Sequence, residues 1–383
     1  MLPHRICSIR DLHKMNEFDK RVEQHVKKVH DLLIMNQPIE PTHVLAAFVC
    51  ETIGNPTPYV VSIGTGTNWI AHESLTKDGR TVFDSHAEVI ARRGFKRYLY
   101  NELTKFTPAS DNSIFCVSDV SDGKLCLKDK YKIHLYISTS PCGCASPHAR
   151  HNARDKLTTR KERSYEFLMT DSKISKKHQS WDYVTEQGKL NLRTMTCSDK
   201  VCQWNVVGVQ GALLSHFLDP IYLTSIIIGS NFIKDRVQLA LNRRLESFSR
   251  EIYNLPEPFC VHSPRIRGRV NIQINDGNKT SLNWYSELGC QVEVNNGFLG
   301  RTFFEETSSR LCKKELFTAF SEVCNLGFFH WGRLLEDNPT YLELKENASS
   351  YKEAKTALSN YFKSSGFGHW IRKPNEVDTF RLG

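Results

Sequence analysis

The feature that most constrains the fold is a histidine and a glutamate at the start of one predicted helix, together with a cysteine that directly follows a predicted strand. His86 and Glu88 begin the segment 86–103, which has apolar residues on one helical face. Cys142 follows Pro141 after the strand-like run IHLYIST, where we expect a second helix to begin. A histidine nitrogen and a cysteine thiolate are typical zinc ligands, and two helix N-termini favour anionic groups between them. The sequence therefore predicts a fold that brings these two junctions together.

Strand-like and helical segments alternate along the rest of the chain. Residues 11–36 predict an amphipathic helix, residues 43–51 and 58–67 predict strands, and residues 224–230 predict a buried strand. The polar, basic stretch 145–190 interrupts this pattern, and we expect it to lie on the surface of the core. Such alternation predicts α/β layers around a sheet. A chain of 383 residues has room for two domains or for one enlarged α/β domain with a long C-terminal elaboration.

The composition limits the partners and the redox compartment. The net charge is +9, from 51 Lys and Arg against 42 Asp and Glu, which suits a polyanionic partner, although many unrelated enzymes are equally basic. No stretch approaches the ~18 apolar residues of a membrane span, so we expect no membrane partner. The first residues contain no apolar signal region, and we interpret the 12 cysteines as reduced thiols.

The pattern H-x-E…P-C is typical of zinc deaminases, in which the glutamate transfers protons beside the metal. Glu88 lies seven residues before Phe95, on the same helical face, so we expect its carboxylate to point inward. The usual pattern ends P-C-x-x-C, whereas here Cys144 is only two positions after Cys142. Because that spacing strains a shared metal site, we take Cys197 as the candidate third ligand. The tripeptide His-Ala-Glu alone is a common chance occurrence, and the strand-Pro-Cys context favours the metal interpretation.

Five segments, in order along the chain, resemble the adenosine deaminases acting on RNA. The tRNA adenosine deaminases share the same arrangement of motifs. They are DSHAEVIARRGFKRYLYNEL, HLYISTSPCG, TMTCSDKVCQWNVVGVQGALLSHF, SSRLCKKELF and GFGHWIRKPNEVDTF. The resemblance extends from about residue 40 to the C-terminus. It implies a cytidine-deaminase-like α/β fold: a three-layer core with a mixed central sheet and a large helical C-terminal elaboration. It also implies a single deaminase domain over residues 1–383, with 1–36 as an N-terminal helical segment.

The resemblance implies zinc-dependent hydrolysis of adenosine to inosine in double-stranded RNA. In that family the metal ligands match His86, Cys142 and Cys197, and the proton-transferring carboxylate matches Glu88. The target adenosine leaves the duplex and enters a pocket that we expect to be bounded by Val44 and Thr67. Relatives that have lost the active site act as binding scaffolds, and these four residues are intact here.

The family also buries one inositol hexakisphosphate behind the zinc site. The matching residues are Arg92, Arg93, Lys200, Trp204, Gln210, Lys313, Tyr341, Lys345, Tyr351, Lys355, Trp370, Lys373 and Asp378. Four of them, at 341, 345, 351 and 355, are predicted to share one helix, on which they fall within roughly a 120° arc. A polar stripe of this kind usually faces solvent, but a buried polyanion explains it better beside inward-facing arginines. Asp84 and Lys200 match a hydrogen-bond relay from this site to the zinc.

The chain departs from the family pattern at several positions. Gln203 and Ala212 replace an Arg and a Ser near the phosphates, and Arg372 replaces a Glu. Asn68 replaces a Lys directly after Gly66 and Thr67. These changes do not affect the core residues of the inositide site. We expect them to alter the relay through Asp84 and Lys200.

The loop between the two cysteines also differs from the family. Relatives have a glycine-flanked Glu there that fills the space of the flipped base, whereas this chain has Tyr165 and Glu166. Either residue is a candidate to fill that space, since an aromatic ring can stack where the base was. Arg154, Arg160 and Lys161 are candidates for RNA-backbone contacts, with solvated surface charge as the alternative.

Two alternatives to an enzyme of double-stranded RNA stay open at this point. One is a tRNA-specific adenosine deaminase, and the other is a non-catalytic RNA-binding or adaptor protein of the same fold. The sequence holds no double-stranded RNA-binding domain, so we expect that the chain is a piece or isoform of a longer protein, or that a protein partner delivers the RNA. The family implies nuclear localisation, with the cytoplasm as a second compartment.

Overall fold

A computed structural model describes residues 15–35, 37, 44–55, 57–70, 74–108, 113–147, 195–271, 279–368, 370 and 375–382. It also describes the backbone of two short strands at 183–184 and 190–191. Within this part of the chain no helix is both long and apolar enough to cross a bilayer.

A mixed sheet of eight strands forms the centre of the molecule. In chain order the described strands are β1 (Leu45–Thr52), β2 (Tyr59–Thr65), β3 (Thr67–Trp69), β4 (Asp84–His86), β5 (Phe115–Val117), β6 (Leu125–Leu127), β7 (Tyr131–Ile137), β8 (Tyr183–Val184), β9 (Leu190–Asn191), β10 (Leu223–Ile228), β11 (Arg265–Gly268), β12 (Thr280–Tyr285), β13 (Glu293–Asn296) and β14 (Arg301–Thr302). The central sheet has the order β11-β10-β7-β1-β2-β12-β13-β14. Strand β10 is parallel to both of its neighbours, and the other pairs in this sheet are antiparallel. The remaining strands form the pairs β3-β4, β5-β6 and β8-β9.

Helices cover both faces of this sheet. In chain order the described α-helices are α1 (Glu17–Ile34), α2 (Ala87–Thr104), α3 (Cys197–Val207), α4 (Lys234–Leu241), α5 (Arg250–Tyr253), α6 (Lys313–Cys324), α7 (Tyr341–Asn347) and α8 (Ser349–Ser364). Short 3₁₀ helices are found at Leu214–His216, Arg243–Leu245, Ser286–Leu288, Phe328–Leu335 and Asn375–Val377. The predicted class, a layered α/β core with a mixed sheet and a helical C-terminal part, is confirmed.

The side chains of β1 show how the layers are built. Ala46 and Phe48 pack in the core beneath α2, while Leu45 and Val49 pack in the core beneath α1. Successive strand residues point to opposite faces of a sheet, so a strand with helices on both sides is apolar throughout. This is why β1 reads as a continuous run of buried residues rather than an alternating one.

Glycines allow α2 to lie directly against the sheet. A Cβ built on Gly64 of β2 would lie 2.3 Å from the backbone nitrogen of Ala91 and 2.6 Å from the carbonyl oxygen of Ala87. No side chain fits into such a space, so Gly64 fixes how closely the first turns of α2 approach β2. The phenyl rings of Phe48 and Phe95 then stack at 4.6 Å between centroids. These contacts set the position of the N-terminus of α2, where His86 and Glu88 lie.

The N-terminal helix is shorter than the sequence predicts. Within the described residues α1 begins at Glu17, where the side chain of Asn16 accepts a bond from the backbone N–H of Asp19 and the Asp19 carboxylate accepts one from Asn16. This reciprocal capping box satisfies two backbone donors that a helix N-terminus otherwise leaves unpaired. Val22 and Val26 are fully buried against the sheet, as the apolar spacing predicts.

Candidate metal centre and the adjoining basic cavity

Three of the predicted residues meet at one point. One ligand atom from each of His86, Cys142 and Cys197 lies within 4.8 Å of the other two. His86 is the N-cap residue of α2, Cys142 lies in the turn after β7, and Cys197 is the first residue of α3. The chain thus brings together residues that are separated by more than a hundred positions.

The prediction that Cys142 begins a helix is wrong. Residues 141–147 form turns, and Gly143 has a φ of +93°, which a helix does not contain. The second helix N-terminus at the site belongs instead to α3, whose N-cap Thr196 accepts a bond from the backbone N–H of Asp199. A Cβ on Gly143 would lie 2.3 Å from Thr196 Oγ1, so glycine permits the turn to lie against this helix. The α2 and α3 N-termini both place partial positive charge at the three ligands.

The two cysteines are electrostatically unequal. The backbone N–H of Cys197 donates to the Cys142 sulfur at 3.3 Å. A hydrogen bond from the Cys197 thiol, aided by the charge of His86, lowers the pKa of Cys142 well below its ordinary value. The same hydrogen bond raises the pKa of Cys197, because a second thiolate would face the first. The pair therefore favours a state with one thiolate until a cation compensates for the second.

Glu88 lies beside these ligands and is almost completely buried, with 3% of its surface exposed. It is the second residue of α2, and its carboxyl interacts with the Cys197 side chain. Burial, and then the negative charge of Cys142, raises the pKa of Glu88 above its ordinary value. A raised pKa moves proton exchange toward neutral pH, where a group that both accepts and donates a proton is most effective.

His86 is held by an ordered chain of polar groups. Its Nδ1 lies 2.8 Å from Asp84 Oδ1, and the other Asp84 oxygen forms an ion pair with Lys200 Nζ. Because Nδ1 bonds to Asp84, Nε2 is the nitrogen available to a metal. Burial lowers the pKa of His86, but Asp84 and Cys142 together raise it well above its ordinary value. The predicted relay partners Asp84 and Lys200 therefore adjoin the candidate site directly.

The donor set fits zinc. One imidazole and two sulfurs match the ligand types that zinc prefers, and three protein ligands leave a fourth position for a reactant. Among the described residues no second group of this kind is found. Cys144 is not a member of the group, and burial raises the pKa of its thiol to about 12, so it stays protonated.

The predicted pocket residues lie at the edge of this site. Thr67 pairs with His86 across the β3-β4 ribbon. The carbonyl of Val44 accepts from the N–H of Gly66 at 3.2 Å, and the carbonyl of Gly66 accepts from the N–H of Ala87 at 2.9 Å. Thr67 therefore lies directly beside His86, and Val44 is connected to the start of α2 by two backbone hydrogen bonds through Gly66.

A basic cavity of about 440 Å³ lies behind the metal centre. Seven residues of the predicted inositide site line it: Lys200, Lys313, Tyr341, Lys345, Lys355, Trp370 and Asp378. Gln203, which departs from the family pattern, lines it as well. Lys200 borders the cavity and also pairs with Asp84, so a single side chain connects the cavity with the metal ligand His86.

The prediction that the cavity residues at 341–355 share one helix is wrong. The chain ends α7 at Asn347 and begins α8 at Ser349, with Ala348 between them at φ −74° and ψ 67°. Tyr341 and Lys345 therefore approach the cavity from α7, and Lys355 approaches from α8. A bend between two helices lets them surround a cavity, which one straight helix cannot do.

Positive charge is concentrated around this cavity. Asp378 pairs with both Lys313 and Lys345, and the two lysines lower its pKa to about 2 in spite of its burial. Burial nevertheless lowers the pKa of Lys313 to about 8, because one carboxylate shared by two lysines compensates neither fully. Lys96, which sequence reasoning missed, has its pKa lowered well below normal by burial and by Arg92 and its neighbours. Its position one helical turn after Arg92 is the signal that could have identified it.

Some predicted inositide residues do not border the cavity. Arg92 donates to the carbonyl of Val209 at 2.7 Å and lies over the ring of Trp204, 5.0 Å from its centroid. Gln210 bonds the backbone of Val207 and Ile221 and the hydroxyl of Ser215, so its amide is satisfied within its own turn. Arg93 donates to the Leu311 carbonyl, and Tyr351 packs edge-on against Phe259.

Several predictions lie outside the described residues. They are the inositide ligand Lys373, the loop residues Tyr165 and Glu166, and the RNA-backbone candidates Arg154, Arg160 and Lys161.

An α/β sheet with a His-Cys-Cys group, a buried carboxylate and two helix N-termini has the residue types that a centre for metal-assisted hydrolysis requires. The family model of the adenosine-deaminase (editase) domain matches residues 62–374. The chain belongs to this family.

Relatives from animals are similar over most of the chain. The double-stranded RNA-specific adenosine deaminase of Mus musculus is 36% identical over 88% of this chain and 30% of its own length. The double-stranded RNA-specific editase Adar of Drosophila melanogaster is 34% identical over 84% of this chain and 49% of its own length. The tRNA-specific adenosine deaminase 1 of Homo sapiens is 27% identical over 89% of this chain and 95% of its own length. The chain thus spans half or less of the first two relatives.

Proposed function

We propose that this chain hydrolyses adenosine to inosine within double-stranded RNA, with the target base flipped out of the duplex. The observation that most supports the reaction is the buried Glu88 carboxyl beside the grouped side chains of His86, Cys142 and Cys197. The substrate class is supported by the mouse and fly relatives, whose names specify double-stranded RNA. A base inside a duplex cannot reach a buried centre, which is why flipping belongs to the proposal.

His86, Cys142 and Cys197 are the residues that would hold zinc. When bound, zinc supplies a nucleophile at neutral pH by lowering the pKa of water. Glu88 is placed to take a proton from the attacking water, to pass it to the ring nitrogen of adenine, and to protonate the departing amine. Its burial excludes competing solvent from these transfers, and Asp84 keeps the His86 imidazole in one orientation.

We also propose that the basic cavity holds inositol hexakisphosphate. Lys200, Lys313, Lys345 and Lys355 all line it, and Asp378 alone among the lining residues pairs with two of them. Lys313 and Lys345 share one carboxylate, which compensates neither charge fully, so a polyanion of matching size would stabilise the folded state. Through Lys200 and Asp84 the same polyanion would support the orientation of His86.

A tRNA-specific deaminase is the second candidate, because the match to the human tRNA enzyme covers 95% of that protein. The two candidates share the chemistry and differ in the RNA. A non-catalytic adaptor is disfavoured, since the ligands and Glu88 are both present and adjacent.

The test is to incubate the purified chain with a long RNA duplex and, separately, with tRNA, and to sequence the products for A-to-G changes. We expect inosine in the duplex, about one zinc per chain, and loss of activity in Glu88→Gln with zinc retained. Glu102→Gln is the matched control, since Glu102 lies on the same helix and pairs with Lys105 near its end. Inosine in tRNA alone would select the second candidate, and no inosine in either RNA would refute both.

A further inference from the structure

A single exposed indole lies on the face of the ribbon that builds the metal centre. Strands β3 and β4 pair in the register Thr67–His86, Asn68–Ser85 and Trp69–Asp84. Residues two apart on a strand, and residues directly opposite each other, point to the same side of a ribbon. Trp69 therefore shares its side with Thr67, Asp84 and His86, and it is the most exposed of the four.

The Trp69 ring stacks on the imidazole of His86. Their centroids are 5.9 Å apart and their planes differ by 7°. One face of the indole is thus turned toward the metal ligand, yet the residue is 40% exposed. The chain buries Trp204, Trp284 and Trp331 almost completely, so an indole left in solvent at this position is not the rule in this fold.

Support of His86 does not account for this arrangement. Asp84 already orients the imidazole through its 2.8 Å contact with Nδ1. A smaller apolar residue would cover the same side of the imidazole without exposing a large ring to water, which costs free energy. The exposed face of Trp69 is therefore a surface suited to a second flat, apolar ligand.

The other side of the same ribbon also carries an exposed aromatic ring and a lysine nearby. The loop after β13 packs on the side chain of Asn68, which points away from Trp69: a Cβ on Gly297 would be 3.0 Å from the Cβ of Asn68. This loop exposes Phe298, and its Gly297 N–H bonds the carbonyl of the exposed Lys279. Aromatic rings interspersed with cations are the combination that binds single-stranded or splayed nucleotides.

We propose that Trp69 is a stacking platform for a nucleobase that flanks the adenosine entering the site. The inference rests on the proposed RNA substrate and names a contact of that same site. The indole holds the flanking base beside His86 while the target base is out of the duplex. Because stacking uses the face of a base, it tolerates every base and favours the larger purines.

The test is a double-mutant cycle that combines a substitution in the protein with a modification of the RNA. Single-turnover deamination rates and binding constants are measured for the wild type and Trp69→Ala on an intact duplex. The same measurements are made on duplexes with an abasic nucleotide at either position next to the target. We expect Trp69→Ala to lower the deamination rate or the affinity for the intact duplex about 5- to 150-fold. The wild type should show a similar loss on one of the two abasic duplexes. The two losses should not add, because both remove one contact.

Two further variants separate stacking from a structural role. Trp69→Phe keeps an aromatic face and should restore most of the lost rate. Phe329→Ala removes a ring of similar exposure, 36%, that packs against Trp331 instead, and should leave the rate unchanged. Zinc content should equal that of the wild type in all three variants. Loss of zinc in Trp69→Ala, or losses that add at both flanking positions, would overturn the proposal.

A fluorescent base keeps this test independent of catalysis. With 2-aminopurine at the coupled flanking position, the wild type should quench the fluorescence on binding and Trp69→Ala should not. If the wild type deaminates no RNA, the proposed function fails while the quenching still reports the stacking. If it deaminates RNA without such quenching, the stacking contact fails and the function stands.

Discussion

The replacement Lys96→Met tests whether the basic residues near the cavity repel one another in the absence of a polyanion. Lys96 lies among Arg92, Arg93 and Lys345, and burial together with these charges lowers its pKa well below the ordinary value. Methionine keeps the apolar stem and removes the charge. In the polyanion-free protein the variant should therefore be more stable than the wild type, which is the opposite of most substitutions at partly buried sites.

The structure sets the size of the effect. Arg92 Nη2 and Lys96 Nζ lie 3.2 and 3.6 Å from one point, the Cβ position built on Gly211, so they are within about 7 Å of each other. Two like charges at that separation repel by about 2 kcal/mol at an effective dielectric constant of about 20. Relief of this one repulsion changes the unfolding equilibrium roughly 30-fold.

The assay compares urea unfolding with and without inositol hexakisphosphate at pH 6. Protein is unfolded, freed of small molecules by gel filtration, and refolded in either condition. We expect Lys96→Met to raise the urea midpoint of the polyanion-free protein and to gain less than the wild type from the polyanion. The control is Lys105→Met at the end of the same helix, where the lysine is exposed and paired with two glutamates, so that only a small change is expected.

One result would refute the reasoning. If Lys96→Met lowers the midpoint without polyanion and gains as much from the polyanion as the wild type, Arg92 and Lys96 do not repel each other as the structure indicates.

Three further predictions follow from the same contacts. Asp84→Asn should weaken zinc affinity about 10- to 100-fold, measured by chelator competition, because the charged partner of His86 Nδ1 is lost; unchanged affinity would contradict the relay. In the polyanion-free protein, burial lowers the pKa of Lys313 to about 8 from 10.5 in the unfolded chain, so the unfolded chain binds more protons between these values. The free-energy cost of burying the charged Lys313 is therefore fully present below pH 8 and is relieved as the pH rises toward 10.5. The urea midpoint of the wild type should rise over that interval, and Lys313→Met should abolish the rise. A flat wild-type profile would contradict this prediction. Phe95→Ala should cost about 3–5 kcal/mol in urea unfolding, since its ring is fully buried and stacked on Phe48; a cost below about 1 kcal/mol would show that the core collapses around the gap.

The sequence predicted secondary structure best where the spacing or type of apolar residues decides it. The apolar spacing placed α1 and α2 to within a few residues, and β-branched runs placed the central strands β1, β2, β7 and β10. It also singled out His86 and Glu88, because the pattern H-x-E…P-C is typical of zinc deaminases. The boundary of α1 was missed because a side-chain capping box, rather than the apolar pattern, sets where that helix begins.

Predictions that required the path of the chain between elements were less successful. Cys142 lies in a turn rather than in a helix, since Gly143 adopts a positive φ that lets the turn pack against Thr196. The break at Ala348 divides what reads as one helix, because the two parts pack on different sides of the cavity. Neither feature changes the periodicity from which helices are predicted.

The sequence by itself determined which residues are chemically suited to bind a metal, to move a proton and to meet a polyanion, since these properties belong to side chains. The sequence also indicated Cys197 rather than Cys144 as the third ligand, and the structure brings Cys197 to His86 and Cys142. The tertiary structure alone decided that Lys96 lies among the basic residues near the cavity and that Trp69 stacks on His86. The physical reason is that proximity between distant residues comes from how the sheet and helices pack, and local sequence patterns do not contain that information.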